Sequence, residues 1–231
     1  IVFLFGLQSH EMPPRWIGEA LAGQHVRRDA VTVTYGFTLA NTSDRILKKI
    51  EFRAFAPVTS TSTSRCSTQP KTSRPVNIET DALGNRNLYF RFDEIPPYGQ
   101  RIIQISARID PPERRKGKSA ENLHRFLGAE PYIETCAPEI IAAAARLKSD
   151  DDVTTCRNIF DWITANIQKG GYTSADRGAR QALLTRRGDC TEQMYLFVAL
   201  ARACGIPSRG ISGFVTPGNT VLRANGYHNW A

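Results

Sequence analysis

The stretch that most constrains this sequence runs from Gly188-Asp189-Cys190-Thr191-Glu192, through Met194, Leu196, Val198 and Leu200, to Cys204-Gly205-Ile206-Pro207. Asp189 is a good N-cap, Glu192 three residues on completes a capping box, and Gly205 with Pro207 supplies the stop signal. The pattern predicts a buried helix with Cys190 at its first helical position. There the backbone N–H has no intrahelical partner, and the positive end of the helix favours a negatively charged sulfur. A cysteine among Leu and Phe serves packing more often than chemistry. Its place at the helix mouth is what marks Cys190 as a candidate nucleophile. Asp189 and Glu192 set carboxylates near the sulfur and work against a thiolate, so a cationic partner is needed.

That partner is offered by Gly226-Tyr227-His228-Asn229-Trp230, an aromatic run that fits a strand. Residues two apart share a strand face, so His228 and Trp230 are expected side by side, with the indole shielding the imidazole. Cys190 and His228 then meet by tertiary folding, as nucleophile and base do in a thiol hydrolase. Four pieces now stand in order: Gly188-Asp189-Cys190, the run Arg202-Ala203-Cys204-Gly205-Ile206-Pro207-Ser208-Arg209, Gly213-Phe214-Val215 and His228-Asn229-Trp230. Over about residues 153–231 the sequence resembles the core of the transglutaminase-like superfamily.

The resemblance implies a papain-like α+β domain in which Cys190 is the acyl-accepting nucleophile and His228 its base. It also implies a downstream aspartate that orients the histidine. No counterpart precedes Ala231, so the domain is expected to be incomplete at its C-terminus. The implied activity is thioester chemistry on amide bonds of a protein or peptide substrate. With water as acceptor it is a protease or amidase; with an amine it is a cross-linking transglutaminase. A non-catalytic peptide- or surface-binding module is the alternative from another class, and retention of both Cys190 and His228 argues against it. Tyr172 matches a tyrosine that recurs before the cysteine helix. It is expected as a buried aromatic or, with Trp230, as support for substrate or oxyanion. No metal and no organic cofactor is implied.

With 231 residues and 41% apolar content the chain is long enough for two small domains. The division read from composition is an N-terminal segment 1–25, a β-sandwich 26–110, a linker 111–130 and the transglutaminase-like domain 131–231. The fold class is α+β, with the antiparallel sandwich first. Val31, Val33, Tyr35, Phe37 and Leu39 alternate with polar or small residues as in a half-buried strand. Ile46–Ala56, Asn87–Phe92 and Gln100–Ile109 continue the strand pattern, whereas the Ser/Thr-rich Val58–Pro75 reads as a loop. Beyond the Pro- and charge-rich Pro111–Ser119, helical signals take over at Pro138–Leu147, Val153–Ile167 and Ala175–Leu184. In the second of these, Val153, Cys156, Ile159, Phe160, Ile163 and Ile167 form a stripe.

The net charge of +8 is thinly spread and carries no nucleic-acid motif, which sets nucleic-acid binding aside. The five cysteines show no Cys-x2-Cys spacing and the four histidines are scattered, which sets zinc aside. The sequence opens at Ile1, so its N-terminus is expected to lie upstream. Ile1–Leu7 reads either as a first strand or as the tail of a signal-peptide core or membrane anchor. An exported or anchored setting is favoured over a cytoplasmic one, and the compartment stays open. Polar, basic, unpatterned segments predict where limited trypsin digestion begins: within Arg114–Lys118 or around Arg65. First cleavage inside Val153–Ile167 would contradict the two-domain division.

Overall fold

Period-two alternation before residue 110 and helical spacing after residue 137 build two different units. The computed structural model describes residues 30–61, 64–110, 122–173, 175–216, 218–223 and 226–231, together with the backbone of 2–7. One unit takes residues 2–117 and 213–227, the other 118–212 and 228–231. Residues 8–25 of the N-terminal segment and 111–121 of the linker lie outside the described residues.

The first unit begins with β1 (Val2–Leu7), the strand form of the two expected for this opening, followed by β2 (Val31–Ala40), β3 (Leu47–Ala56) and β4 (Arg65–Pro70). β5 (Asn77–Thr80), β6 (Arg86–Ile95) and β7 (Gln100–Asp110) complete its main part. β2 pairs antiparallel with β7 from Val31 opposite Ile109 to Ala40 opposite Gln100, and β3 pairs with β6 from Leu47 opposite Ile95 to Ala56 opposite Arg86. β4 adds to β7 and β5 to β6. Leu88 and Phe90 of one sheet meet Ile103 and Ile105 of the other in a shared core with Ala54 and Ala56. Each large side chain so buried contributes about 2 kcal/mol. This is the antiparallel sandwich the alternation implies.

The Ser/Thr-rich stretch is corrected by the structure: Arg65–Pro70 is a strand rather than loop. One face of it, Cys66, Thr68 and Pro70, is half-buried and the other is exposed. β7 offers a free row of backbone donors and acceptors, so β4 forms by ladder bonds at a sheet edge. Arg65 sits opposite Asp110 in that ladder, which moves the expected first trypsin cut to Arg114–Lys118.

The second unit carries α1 (Pro138–Leu147), α2 (Asp152–Asn166), β8 (Gln168–Lys169), α3 (Ala179–Thr185), β9 (Arg187–Gly188) and α4 (Cys190–Ala203). Pro138 opens α1, where a missing N–H costs nothing. Asp151 caps α2 by accepting the Thr154 N–H at 2.9 Å. The α2 stripe is narrower than its spacing suggests: Ile159 and Ile163 are buried, whereas Val153 and Phe160 face solvent. The cluster they join is centred on α4, whose other neighbours α1 and α3 leave Val153 and Phe160 nothing to cover them. α3 starts at Ala179, four residues later than expected, because Gly178 at φ +87 does not continue a helix.

α4 is surrounded by α1, α2 and α3, and Leu196, Val198, Ala199, Leu200 and Ala201 are all fully buried. A helix apolar on every side belongs at a core centre. It stops at Gly205, whose φ of +90 is open to glycine at no steric cost. Arg202 fixes that end: buried on α4, it donates to Ser208 O at 2.8 Å and Gly128 O at 2.5 Å and pairs with Glu130 at 2.8 Å.

Past α4 the chain forms β10 (Ile211–Thr216), β11 (Thr220–Val221) and β12 (Tyr227–Trp230). β11 runs parallel to β2, with Thr220 opposite Val33. β10 lies between β1 and β12 in a three-stranded sheet, and the boundary between the units falls inside both β10 and β12. Arg202→Met should lower stability by about 3 kcal/mol, the scale for losing hydrogen bonds to a buried charge, measured by urea denaturation.

Candidate active site

The site begins with a close approach. A Cβ on Gly188 would come within 2.7 Å of Glu192 Cβ, so only glycine lets β9 turn into α4 against that side chain. Asp189 Oδ1 accepts the Thr191 N–H at 2.8 Å, and Glu192 reaches back to accept the Asp189 N–H at 3.0 Å. The expected reciprocal capping is therefore present. Glu192 is 1% exposed, and its charge is met by Arg177 at 3.3 Å. Burial alone would raise the Asp189 carboxyl, but the N–H groups of Thr191 and Thr173 outweigh it and hold it below the usual carboxylate value.

Cys190 stands at the first position of α4, partly buried. Its side chain meets β12 through Asn229, which is 7% exposed. Asn229 Nδ2 donates to Thr191 Oγ1 at 2.8 Å and approaches Cys190 Sγ at 3.9 Å. Its Oδ1 accepts from the buried Ser212 hydroxyl on β10. All four residues belong to the helical unit. Sequence reasoning passed over Asn229, Ser212 and Thr191. The available signal was a polar residue inside the His228-Asn229-Trp230 motif and a serine between the glycines at 210 and 213.

His228 and Trp230 share the opposite face of β12, their rings 6.2 Å apart and 28° from parallel. His228 is exposed, and no hydrogen bond joins it to Cys190 among the described residues. The structure thus brings Cys190 to β12 but turns Asn229, not His228, toward the sulfur. Tyr172 is 84% exposed, which corrects its expected burial: Gly170 and Gly171 carry it away from the core packed around α4. Among the described residues no cluster of three His, Cys, Asp or Glu side chains has metal-binding geometry. None of the described helices is long and apolar enough to cross a membrane.

The other cysteines differ in kind. Burial pushes the Cys66 thiol up to about 11 and also raises those of Cys156 and Cys204. Cys204 Sγ lies 3.5 Å from Ala144 O, a packing position at the end of α4.

Residues 141–231 match the family model of the transglutaminase-like superfamily, so the chain carries a transglutaminase-like domain there. No curated protein matches the sequence. Among solved structures, one described as a "putative cysteine protease" from Cytophaga hutchinsonii aligns at a TM-score of 0.59 and 17% identity, over 87% of this chain and 70% of that one. The periplasmic domain of TgpA from Pseudomonas aeruginosa aligns at 0.40 and 14%, over 83% and 66%. The first likeness speaks to the fold, which is α+β with a sheet-rich region ahead of the transglutaminase-like domain. The family match supports a cysteine enzyme in general terms. Near neutral pH, iodoacetamide should modify Cys190 faster than the exposed Cys136 and leave Cys66 and Cys204 untouched, read by peptide mass spectrometry. Labelling of Cys190 slower than Cys136 would mark its sulfur as packing.

Proposed function

We propose that this protein is a thiol hydrolase that cleaves amide bonds of peptides or proteins, with Cys190 as nucleophile and His228 as base. The observation that carries the reading is Cys190 at the mouth of a capped helix that runs through the core, and in contact with β12. A side chain there is held by the core yet presented at its edge. In the reaction Sγ attacks the carbonyl carbon, and the free N–H of Cys190 faces the developing oxyanion. One such donor is worth about 3 kcal/mol. The amine leaves with a proton from His228, and water then releases the acyl group from the thioester. An amine in place of water gives cross-linking by the same intermediate.

His228 must come to the sulfur for this chemistry. β12 has four residues and forms the end of its sheet, so beyond the Asn229 hydrogen bonds to Thr191 and Ser212 little holds its register. A one-residue slip exchanges its faces and puts His228 where Asn229 now stands. Trp230 then follows the imidazole to the sulfur side and shields it, and exposed Tyr172 is left for substrate. His228→Ala should lower peptide turnover at least about 100-fold, the usual worth of an acid–base group, and Cys190→Ala should abolish it with the fold intact. Asn229→Ala should keep most of the activity. Loss of turnover in Asn229→Ala but not in His228→Ala would remove His228 from the mechanism. Amine incorporation measured alongside shows which acceptor is used.

A further inference from the structure

A cleft of about 470 Å³ opens between β2 and β3. Every residue lining it falls within 35–57 or 214–227, so it lies wholly inside the sheet unit. Its size suits a small ligand or a residue or two of a peptide (about 300–1,000 Å³). The walls are the rings of Tyr35, Phe37, Phe55, Phe214 and Tyr227. Phe37, Phe55 and Tyr227 stay 36%, 44% and 39% exposed around this one cavity. Such a concentration of large apolar side chains marks a binding site more often than bare surface. The rings are already positioned: Phe214 meets Tyr227 edge-on at 5.6 Å, and Phe37 lies 5.0 Å from Phe52.

The charges at the cleft are all of one sign. Arg53 and Arg223 line it, no Asp or Glu does, and neither arginine forms an ion pair among the described residues. Glu51, the nearest carboxylate along β3, is held by Arg91 at 2.7 Å. The backbone adds a third element. β3 is the edge of the sheet β3-β6-β5, and the Phe55 carbonyl points away from β6 to accept the Tyr35 hydroxyl at 3.1 Å. In an antiparallel ladder alternate residues face the same way, so the backbone groups of Arg53 also point outward along this edge.

We propose that the cleft receives the C-terminal residue of an extended peptide. Its apolar or aromatic side chain enters between the rings, its carboxylate meets Arg53 and Arg223, and its backbone pairs with the outward-pointing backbone groups of Arg53 on β3. This is binding without bond making, and it stands whether or not Cys190 is a nucleophile. The test is fluorescence anisotropy of a dye-labelled peptide Gly-Ala-Ala-Phe on the full chain carrying Cys190→Ala, so that no peptide is consumed. Saturable binding is expected, at least about tenfold weaker for the C-terminal amide and for the double variant Arg53→Gln/Arg223→Gln, as for lost hydrogen bonds to a charge. Phe37→Ala should weaken it with the circular dichroism spectrum unchanged. No binding, or equal binding of acid and amide, overturns the proposal. Competition by 3-phenylpropionate as strong as by the unlabelled peptide also overturns it, in favour of a site for small aromatic acids.

Discussion

The buried carboxylate of Glu192 is what the candidate site depends on. A charge at 1% exposure is tolerable only when it is met, and here the Asp189 N–H and Arg177 meet it from two sides. Those contacts set the first turn of α4, which sets where Cys190 stands. They also require Gly188, since any side chain there would collide with Glu192. On that same turn the Cys190 sulfur meets β12 through Asn229.

The helix was legible because its signals are local. Asp189, Glu192 and Gly205 each act within one turn, and the apolar run between them admits only a core position. The long strands were legible for a similar reason, since alternation along ten residues specifies both a period and a face. β4 and β11 were not, because no side chain of either is fully buried. They form where a partner strand leaves backbone groups unpaired, and that partner is not visible in their own residues. The exposed ends of the α2 stripe fail for a related reason: helical spacing shows which residues share a face, not how far the neighbouring helices extend to cover it.

At β12 the sequence constrained a pairing but not a choice. Period two guarantees that His228 and Trp230 point one way and Asn229 the other. Nothing in four residues says which way is toward α4. The structure satisfies the polar atoms of Asn229 with Thr191 and Ser212, an arrangement that makes Asn229 a good occupant of a buried slot. The hydrogen-bonded amide takes the place beside the sulfur, and the proposed reaction needs the imidazole of the same short strand to take that place instead.

The chain leaves the helical unit at residue 213 and re-enters it at 228, having lent the sheet unit β11 and the segment around it. Asn219 accepts the Thr32 N–H at 2.7 Å across 187 positions of sequence. For a chain made from its N-terminus, this sets a timetable. The first half emerges with one flank of β2 uncovered and keeps it so until more than nine-tenths of these residues have been synthesised. The sheet unit is begun before α1 to α4 and completed only after them, and during that interval an open strand edge is available to any other strand that finds it.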